Sequence, residues 1–184
     1  RSIMENIIIR KATAEDLDSV SSIYSKIHTA EEKGQVVIGW KRGVYPEKAT
    51  AEEALSRNDL FVEEYNGNIV GTAILNQIQV DIYEKGKWEY NVPDEKVMIM
   101  HTLVIDPDIK GRGLGSAFAR FYEKYAVENG CPYLRIDTNE LNTNARSLYR
   151  KLGYKEVGIF PCEFNGLDKI NLVLLEKMAD QYNQ

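Results

Sequence analysis

The stretch that decides the fold covers residues 97–130 and reads VMIMHTLVIDPDIKGRGLGSAFARFYEKYAVENG. Val97 to Ile105 are apolar almost throughout, which predicts a buried central strand. From Leu114 onward, apolar residues recur at helical spacing up to Asn129-Gly130, where a helix C-cap is expected. Between them, Lys110 to Gly115 read Lys-Gly-Arg-Gly-Leu-Gly. The stretch therefore predicts a strand, a glycine-rich loop and an amphipathic helix.

The glycine-rich loop has the chemistry of a phosphate site. Glycines let the backbone approach a ligand closely, and the N–H groups and dipole at a helix N-terminus favour an anion. Lys110 and Arg112 add positive charge, so a pyrophosphate is the expected occupant. The alternative is that the glycines only make a tight turn from strand to helix. A Rossmann loop is disfavoured, because it requires an early Gly-x-Gly-x-x-Gly and regular alternation of strands and helices.

The rest of the chain supplies further strands and helices. Two pairs, Thr13 with Asp16 and Thr50 with Glu53, resemble capping boxes and predict two helix starts. Asn66-Gly67 predicts the tight turn of a hairpin, and an apolar face ending at Gly153 predicts a last helix. The other predicted strands are Ile7 to Arg10, Leu60 to Tyr65, Ile69 to Val80, Tyr133 to Thr138, Tyr154 to Phe160 and Ile170 to Leu175. This order predicts an α/β protein with helices packed on a mixed sheet.

Composition limits the classes of function. The 184 residues fit one domain, in which residues 1–3 are expected to be an expression remnant and residues 176–184 a C-terminal tail. The net charge of −5 and the lack of a basic cluster disfavour nucleic acid as a partner, and no apolar run reaches the ~20 residues that span a membrane. Cys131, Cys162, His28 and His101 form no pattern typical of a metal or disulfide site. A metal-free, cytoplasmic protein is expected.

A second motif connects the glycine-rich loop to a known family. After the strand that ends near Thr138 comes Asn142-x-x-Ala145-x-x-x-Tyr149-x-x-x-Gly153-Tyr154. Together, the two motifs resemble the GNAT superfamily of N-acetyltransferases, whose loop reads Gln or Arg, two residues, Gly, one residue, then Gly or Ala. Gly113 and Gly115 match that loop, whereas Lys110 takes the first place and keeps the positive charge. The resemblance is strong over 97–154 and covers 7–175 by element order.

The resemblance implies a largely antiparallel, seven-stranded sheet with about four helices and a V-shaped splay beside the central strand. It also implies acetyl-coenzyme A as co-substrate, with the pantetheine arm paired along Leu103 to Ile105 and the pyrophosphate on the amides of Lys110 to Ser116. The residues expected to bind the coenzyme are Leu103, Val104, Ile105, Lys110, Gly111, Arg112, Gly113, Leu114, Gly115, Ser116, Asn142, Ala145 and Tyr149. Asn142 is equally suited to cap the helix that follows it.

Acetyl transfer to an amine needs a proton donor for the leaving thiolate and a proton acceptor for the amine. Tyr149 matches the family's usual acid, although it could also be a core tyrosine. One familiar position for the base holds Ile99, which cannot accept a proton. His101 is the catalytic candidate instead, because strand alternation places it on the side of Ile99 and Leu103. A buried, hydrogen-bonded histidine is the alternative for His101, and the resemblance assigns the oxyanion to a main-chain N–H near Leu103.

The acceptor site is predicted from aromatic and acidic residues. Trp40 and Tyr45 lie in a polar connection that forms one wall of the acceptor site in this family, and Asp137 could attract an ammonium group or relay its proton. The same aromatics could instead pin a long loop, and Trp88 in the segment 81–94 allows both interpretations.

These residues predict transfer of an acetyl group to a primary amine of a small molecule or peptide, by direct attack in a ternary complex. A catalytically silent acyl-coenzyme A sensor is the alternative. A homodimer is possible through Ile170 to Leu175.

Overall fold

Seven strands form one sheet in which the predicted central strand lies fourth. The computed structural model describes residues 6–179, and the strands follow the order β1-β2-β3-β4-β5-β7-β6. Their bounds are β1 (Ile7–Lys11), β2 (Leu60–Tyr65), β3 (Asn68–Asn76), β4 (Val97–Ile105), β5 (Tyr133–Asn139), β6 (Lys155–Phe164) and β7 (Leu167–Met178). The four α-helices are α1 (Leu17–Glu32), α2 (Lys48–Ser56), α3 (Leu114–Glu128) and α4 (Thr143–Lys151). The predicted fold class is confirmed.

The sheet splays open between β4 and β5. This pair is the parallel one among otherwise antiparallel neighbours, and it is joined only where Val97 to Ile99 face Tyr133 to Arg135. Beyond Ile99 the two strands have no paired residues, although β4 continues to Ile105 and β5 to Asn139. The carboxyl ends of the two strands therefore border a V-shaped cleft.

Different elements cover the two faces of the sheet. Helices α3 and α4 pack on Met98, Met100 and Ile136, and we call this side the α3 face. On the opposite side, the α1 face, α1 and α2 cover β2, β3 and the end of β4, and the segment 77–96 covers Val97 and Ile99. That segment is held by charged side chains, because Arg135 lies 4.0 Å over the Trp88 ring and Glu176 accepts the N–H of residue 89 at 2.6 Å.

A β-bulge in β4 changes which residues face which side. Thr72 pairs with Val104 and Ile74 pairs with His101, so β4 has one more residue than β3 between these positions. Thr102, at the bulge, has φ +52°, a conformation that β-branched residues rarely adopt. As a result, His101 lies on the α1 face with Ile99, whereas Leu103 packs on the α3 face. The prediction that His101 and Leu103 share a side is wrong, because simple alternation does not hold across a bulge.

Several predicted boundaries also change. The box at Thr13 and Asp16 is confirmed, but the second box pairs Glu47 with Thr50, so α2 begins three residues earlier than predicted. Strand β3 ends at Asn76 rather than Val80, and β7 extends to Met178, so 176–178 belong to a strand rather than a tail. Residues 1–5 and 180–184 lie outside the described part of the chain. Within 6–179, no helix is long and apolar enough to cross a bilayer.

Candidate active site

A cavity of about 310 Å³ lies at the open end of the splay between β4 and β5. It collects side chains from α2, α4, β3, β4, β5 and the connection between α1 and α2. Eight of the residues predicted for the site line it together: Trp40, Tyr45, His101, Leu103, Asp137, Asn142, Ala145 and Tyr149. Val104 does not, because its side chain is buried against α1 and α2, which leaves only its main chain available.

The cavity joins the two faces of the sheet. Tyr149, Ala145 and Leu103 approach it from the α3 face, where they border the core under α3 and α4. His101 lies two residues after Ile99 in β4, so it is on the α1 face as well. Asp137 lies two residues after Arg135 in β5, and the guanidinium of Arg135 lies on the α1 face against Trp88. A proton donor and two proton acceptors therefore enter one cavity from opposite sides of the sheet.

The glycine-rich loop forms an open cradle at the N-terminus of α3. Gly111 and Gly113 have φ of +71° and +67°, and Gly113 is the N-cap residue. A Cβ atom added at either position would meet no atom within 4 Å, so the backbone there borders free space. Lys110 and Arg112 are exposed. Backbone N–H groups, a helix dipole and two cations suit a pyrophosphate.

The start of this loop is fixed by Asp106. Its Oδ1 accepts the N–H of Asp108 at 2.9 Å, and its Oδ2 accepts Lys26 Nζ from α1 at 2.9 Å. The backbone N–H of Asp106 also donates to Val70 O at 2.7 Å. These contacts connect the loop to both β3 and α1, so the cradle is held before any ligand arrives.

Tyr149 is buried on α4, and its ring packs edge-on against Tyr154 at 5.7 Å. Burial, with a smaller contribution from Asp137, raises the pKa of Tyr149, so the phenol keeps its proton at neutral pH. None of the hydrogen bonds found between residues 6 and 179 uses its hydroxyl, which leaves that proton available. Asn142 is the N-cap residue of α4, and its side chain accepts the N–H of Ala145 at 3.2 Å.

The capping role of Asn142 is thus confirmed, while contact with a pantetheine arm stays a prediction.

Asp137 is half-buried near the end of β5 and is held by a residue that the sequence did not indicate. The hydroxyl of Tyr83, in the segment 77–96, donates to Asp137 Oδ2 at 2.7 Å. Burial raises the pKa of Asp137 to about 6, and the hydrogen bond from Tyr83 opposes that rise. The contact spans 54 residues of sequence, so no local pattern could have indicated it.

His101 is half-buried and its Nε2 lies 2.7 Å from Asn76 Oδ1. Burial lowers the pKa of His101 to about 4, so the imidazole is neutral at pH 7. The alternative of a hydrogen-bonded strand histidine is therefore correct as a description of its contacts. The ring also lines the cavity.

The aromatic wall is built around an ordered connection. Glu31 in α1 accepts backbone N–H groups from residues 38, 39 and 40 at 2.9, 2.7 and 3.3 Å, which fixes the segment before Trp40. Trp40 packs edge-on against Tyr45 at 6.1 Å. The hydroxyl of Tyr45 is hydrogen-bonded to Thr102 Oγ1, at the bulge of β4. Trp88, in contrast, belongs to the small core under the segment 77–96 and does not line the cavity.

Comparison with known proteins agrees with this arrangement. The model of the Acetyltransferase (GNAT) family matches residues 17–154, which include the splayed strands, the glycine-rich loop and α4. The chain belongs to the GNAT family. An uncharacterized N-acetyltransferase of Methanocaldococcus jannaschii is 26% identical to this GNAT chain over 161 residues, which are 84% of the chain. The chain spans 63% of the length of that relative.

Solved structures share the fold of this GNAT chain. A GNAT-family acetyltransferase from Streptococcus agalactiae superposes with a TM-score of 0.79 at 21% identity, covering 95% of this chain and 96% of its own. A Salmonella typhimurium protein solved with its cofactor acetyl-CoA gives a TM-score of 0.63 at 16% identity, covering 97% and 96%. At these identities the likeness concerns the fold. No cluster of three or more His, Cys, Asp or Glu side chains within 6–179 could hold a metal ion.

Proposed function

We propose that the protein transfers an acetyl group from acetyl-coenzyme A to the primary amine of a small molecule. The observation that carries this proposal is the cavity at the splay, where a buried tyrosine faces a carboxylate and an imidazole that enter from the other side of the sheet. The reaction forms a bond from the acceptor nitrogen to the acetyl carbon and breaks the bond from that carbon to sulfur. Nitrogen loses one proton and sulfur gains one.

The residues of the α3 face fit the coenzyme. The cradle of Lys110 to Ser116 has open space in front of Gly111 and Gly113. A side chain at either position would occupy part of that space. Leu103 to Ile105 have no partner strand on the β5 side and offer main-chain hydrogen bonds to a pantetheine arm. When bound, the coenzyme supplies the acetyl thioester.

Tyr149 is suited to donate the proton that the sulfur receives. Its pKa is raised, so the phenol is protonated at neutral pH, and it enters the cavity from the same face as the cradle. A phenol in this position can donate to a thiolate as the bond to carbon breaks.

Of the two groups on the α1 face, Asp137 is the better proton acceptor. A pKa of about 6 leaves its carboxylate mostly ionised at pH 7 and close to the value that favours transfer at that pH. Its negative charge also attracts the ammonium form of the acceptor. His101, predicted as the base, has a pKa of about 4 and is the weaker acceptor. The role proposed for His101 is that of a neutral hydrogen-bond acceptor for the amine.

The size and lining of the cavity favour a small acceptor. A volume of about 310 Å³ is at the low end of the range for small-molecule sites, and aromatic side chains close one wall. A peptide acceptor requires an open groove instead. Acetylation of peptides but not of small amines would therefore overturn this part of the proposal.

Calorimetric titration with acetyl-coenzyme A is the first test. Gly113→Glu should abolish saturable binding, because the side chain enters the cradle and brings negative charge. Gly130→Glu is the matched control, since Gly130 has φ +76°, meets no atom within 4 Å and lies at the opposite end of α3. Equal loss in both variants points to folding rather than to the site.

An amine screen then separates the enzyme from the sensor. Turnover with at least one small amine supports the proposal. Binding of acetyl-coenzyme A without turnover of alkyl amines, amino acids or diamines favours the silent coenzyme-binding module. If the folded wild type does not bind acetyl-coenzyme A, both the enzyme and the sensor are excluded.

A further inference from the structure

The contact between His101 and Asn76 determines which ring nitrogen of His101 carries the proton. Asn76 is the last residue of β3 and pairs with Ile99, whereas His101 pairs with Ile74. The two side chains are therefore diagonal neighbours on the α1 face, at the edge of the cavity. His101 Nε2 lies 2.7 Å from Asn76 Oδ1, which is close enough for a strong hydrogen bond.

The orientation of the Asn76 amide follows from its other two partners. Its Nδ2 donates to Asp59 Oδ2 at 2.9 Å, and its Oδ1 accepts the backbone N–H of Ile78 at 3.0 Å. A carboxylate can only accept and a backbone N–H can only donate, so a flipped amide would lose both bonds. The Oδ1 atom therefore faces His101.

Asp59 is itself held in place. Arg57 Nε donates to the same Oδ2 atom at 3.0 Å, and Asp59 is buried at the start of β2. The chain Arg57, Asp59, Asn76 thus runs from the exposed end of α2 to the ring of His101.

Because Asn76 Oδ1 cannot donate, His101 Nε2 must carry the hydrogen, and Nδ1 of the neutral ring is left with its lone pair. No hydrogen bond found within residues 6–179 uses Nδ1. We propose that Asn76 is a positioning residue that holds His101 in the Nε2–H tautomer, so that Nδ1 accepts a hydrogen bond from the amine of the acceptor. This proposal rests on the proposed function for the identity of the amine, but not for the tautomer.

The tautomer of His101 orients the amine for the reaction. A neutral primary amine has two N–H bonds and one lone pair. If one N–H points to His101 Nδ1 and the other to Asp137, the lone pair is left to face the acetyl carbon. The opposite tautomer would present an N–H at Nδ1 and compete for that lone pair, so the position of one proton decides whether the amine is aligned.

The tautomer can be measured directly in the free protein. The chain has two histidines, and ¹⁵N spectra of imidazole rings distinguish the Nε2–H, Nδ1–H and doubly protonated forms. His28 is an internal reference, because its Nε2 lies 2.8 Å from the carbonyl oxygen of Pro46 and must also carry the hydrogen. We expect His101 in the neutral Nε2–H form at pH 7. His101 in the Nδ1–H form, or charged, would overturn the proposal whether or not the protein is an enzyme.

Asn76→Asp provides the functional test. One oxygen of the new carboxylate accepts from Nε2, and the other replaces the Nδ2 that donates to Asp59 Oδ2, so negative charge accumulates beside the ring and the pKa of His101 should rise. Asp59 raises the pKa of His101 and Arg57 lowers it. Three further titratable groups, Glu53, Tyr45 and Asp137, line the same cavity. As the ring becomes charged, Nδ1 loses its lone pair. In the wild type the acidic limb of kcat/KM for the amine should contain two ionisations, that of Asp137 with a pKa of about 6 and that of His101 with a pKa of about 4. In Asn76→Asp the ionisation that belongs to His101 should move to higher pH together with the titration of its ring.

A merely structural role for Asn76, capping the turn at Ile78, predicts a different result. In that case Asn76→Asp lowers kcat/KM for the amine by the same factor at every pH, and no ionisation in the acidic limb moves with the titration of His101. Asn76→Leu removes the acceptor altogether, and kcat/KM for the amine should fall by about tenfold to 100-fold while the Kd of acetyl-coenzyme A is unchanged. An unchanged kcat/KM in Asn76→Leu counts against the proposal. If the wild type does not bind acetyl-coenzyme A, in contrast, only the proposed function fails.

Discussion

Glu63 provides a quantitative test of the fold, because it is a fully buried carboxyl without a partner. It lies in the middle of β2, and both of its oxygens lack a hydrogen-bond partner within residues 6–179. Gly71 on β3 leaves room for it, since a Cβ atom at residue 71 would lie 2.8 Å from Glu63 Oε1. Burial raises the pKa of Glu63 from 4.5 to about 8. The folded protein therefore prefers the protonated carboxyl.

The sign and size of the effect follow from linkage. Between pH 4.5 and about 8 the unfolded chain loses the proton while the folded chain keeps it, so the free energy of unfolding falls as pH rises through this interval and levels off above it. Each pH unit corresponds to about 1.36 kcal/mol, so the whole interval corresponds to about 5 kcal/mol. At pH 7 the cost is about 3 kcal/mol. These values are upper limits, because any relaxation around Glu63 reduces them.

Glu63→Gln removes the ionisation while keeping the shape of the protonated side chain. We expect its free energy of unfolding to exceed that of the wild type by up to about 3 kcal/mol at pH 7 and to equal it near pH 4. Urea unfolding at intervals between pH 4 and 9 measures both curves. Glu52→Gln, on the exposed side of α2, is the matched control for the loss of one carboxylate. Parallel curves for wild type and Glu63→Gln would refute the reasoning, since they would show that the folded carboxyl ionises normally.

Three further predictions concern the cavity. Tyr149→Phe should lower kcat by about 10²-fold to 10⁴-fold while leaving the Kd of acetyl-coenzyme A unchanged, because it removes only the proton donor; steady-state kinetics and calorimetry check this. Tyr83→Phe removes the hydrogen bond that lowers the pKa of Asp137, so that pKa should rise above about 6. The proton acceptor is then lost at a higher pH as the solution is acidified, and the acidic limb of the kcat/KM profile should shift upward; an unmoved limb would exclude Asp137 as the base. Gly39→Ala would place a Cβ atom 2.3 Å from Asn139 Nδ2 at a φ of +89°, and it should lower stability by about 1–3 kcal/mol in urea unfolding.

Local sequence patterns were sufficient for the central part of the fold. Strand β4 and helix α3 have the predicted bounds, because a continuous apolar run and a helical repeat each report on a single element. The glycine-rich loop follows from the same stretch. Helix α2 was placed three residues late, because Glu47 and Thr50 form the box in which Thr50 accepts from the N–H of residue 47 at 3.0 Å. Glutamate as the N-cap residue is uncommon and carries little signal.

The parts of the site that were missed depend on contacts between distant segments. Tyr83 meets Asp137 across 54 residues, and Asn76 meets His101 across 25. Asn76 also explains the early end of β3, because its side chain accepts the N–H of Ile78 and turns the chain where apolar residues suggested a longer strand. A periodicity argument can place a residue on an element, but it does not show which side chain lies opposite.

The bulge at Thr102 links the fold to the proposed chemistry. Without the extra residue, His101 and Leu103 would lie on one face, as alternation predicts. With it, His101 stays on the α1 face beside Asp137, while Leu103 borders the α3 face beside Tyr149. A threonine at φ +52° is unfavourable by itself, and its hydrogen bond to Tyr45 helps to hold it there. The bulge at Thr102 is therefore what allows two nearby residues of one strand, His101 and Leu103, to line the cavity from opposite faces of the sheet.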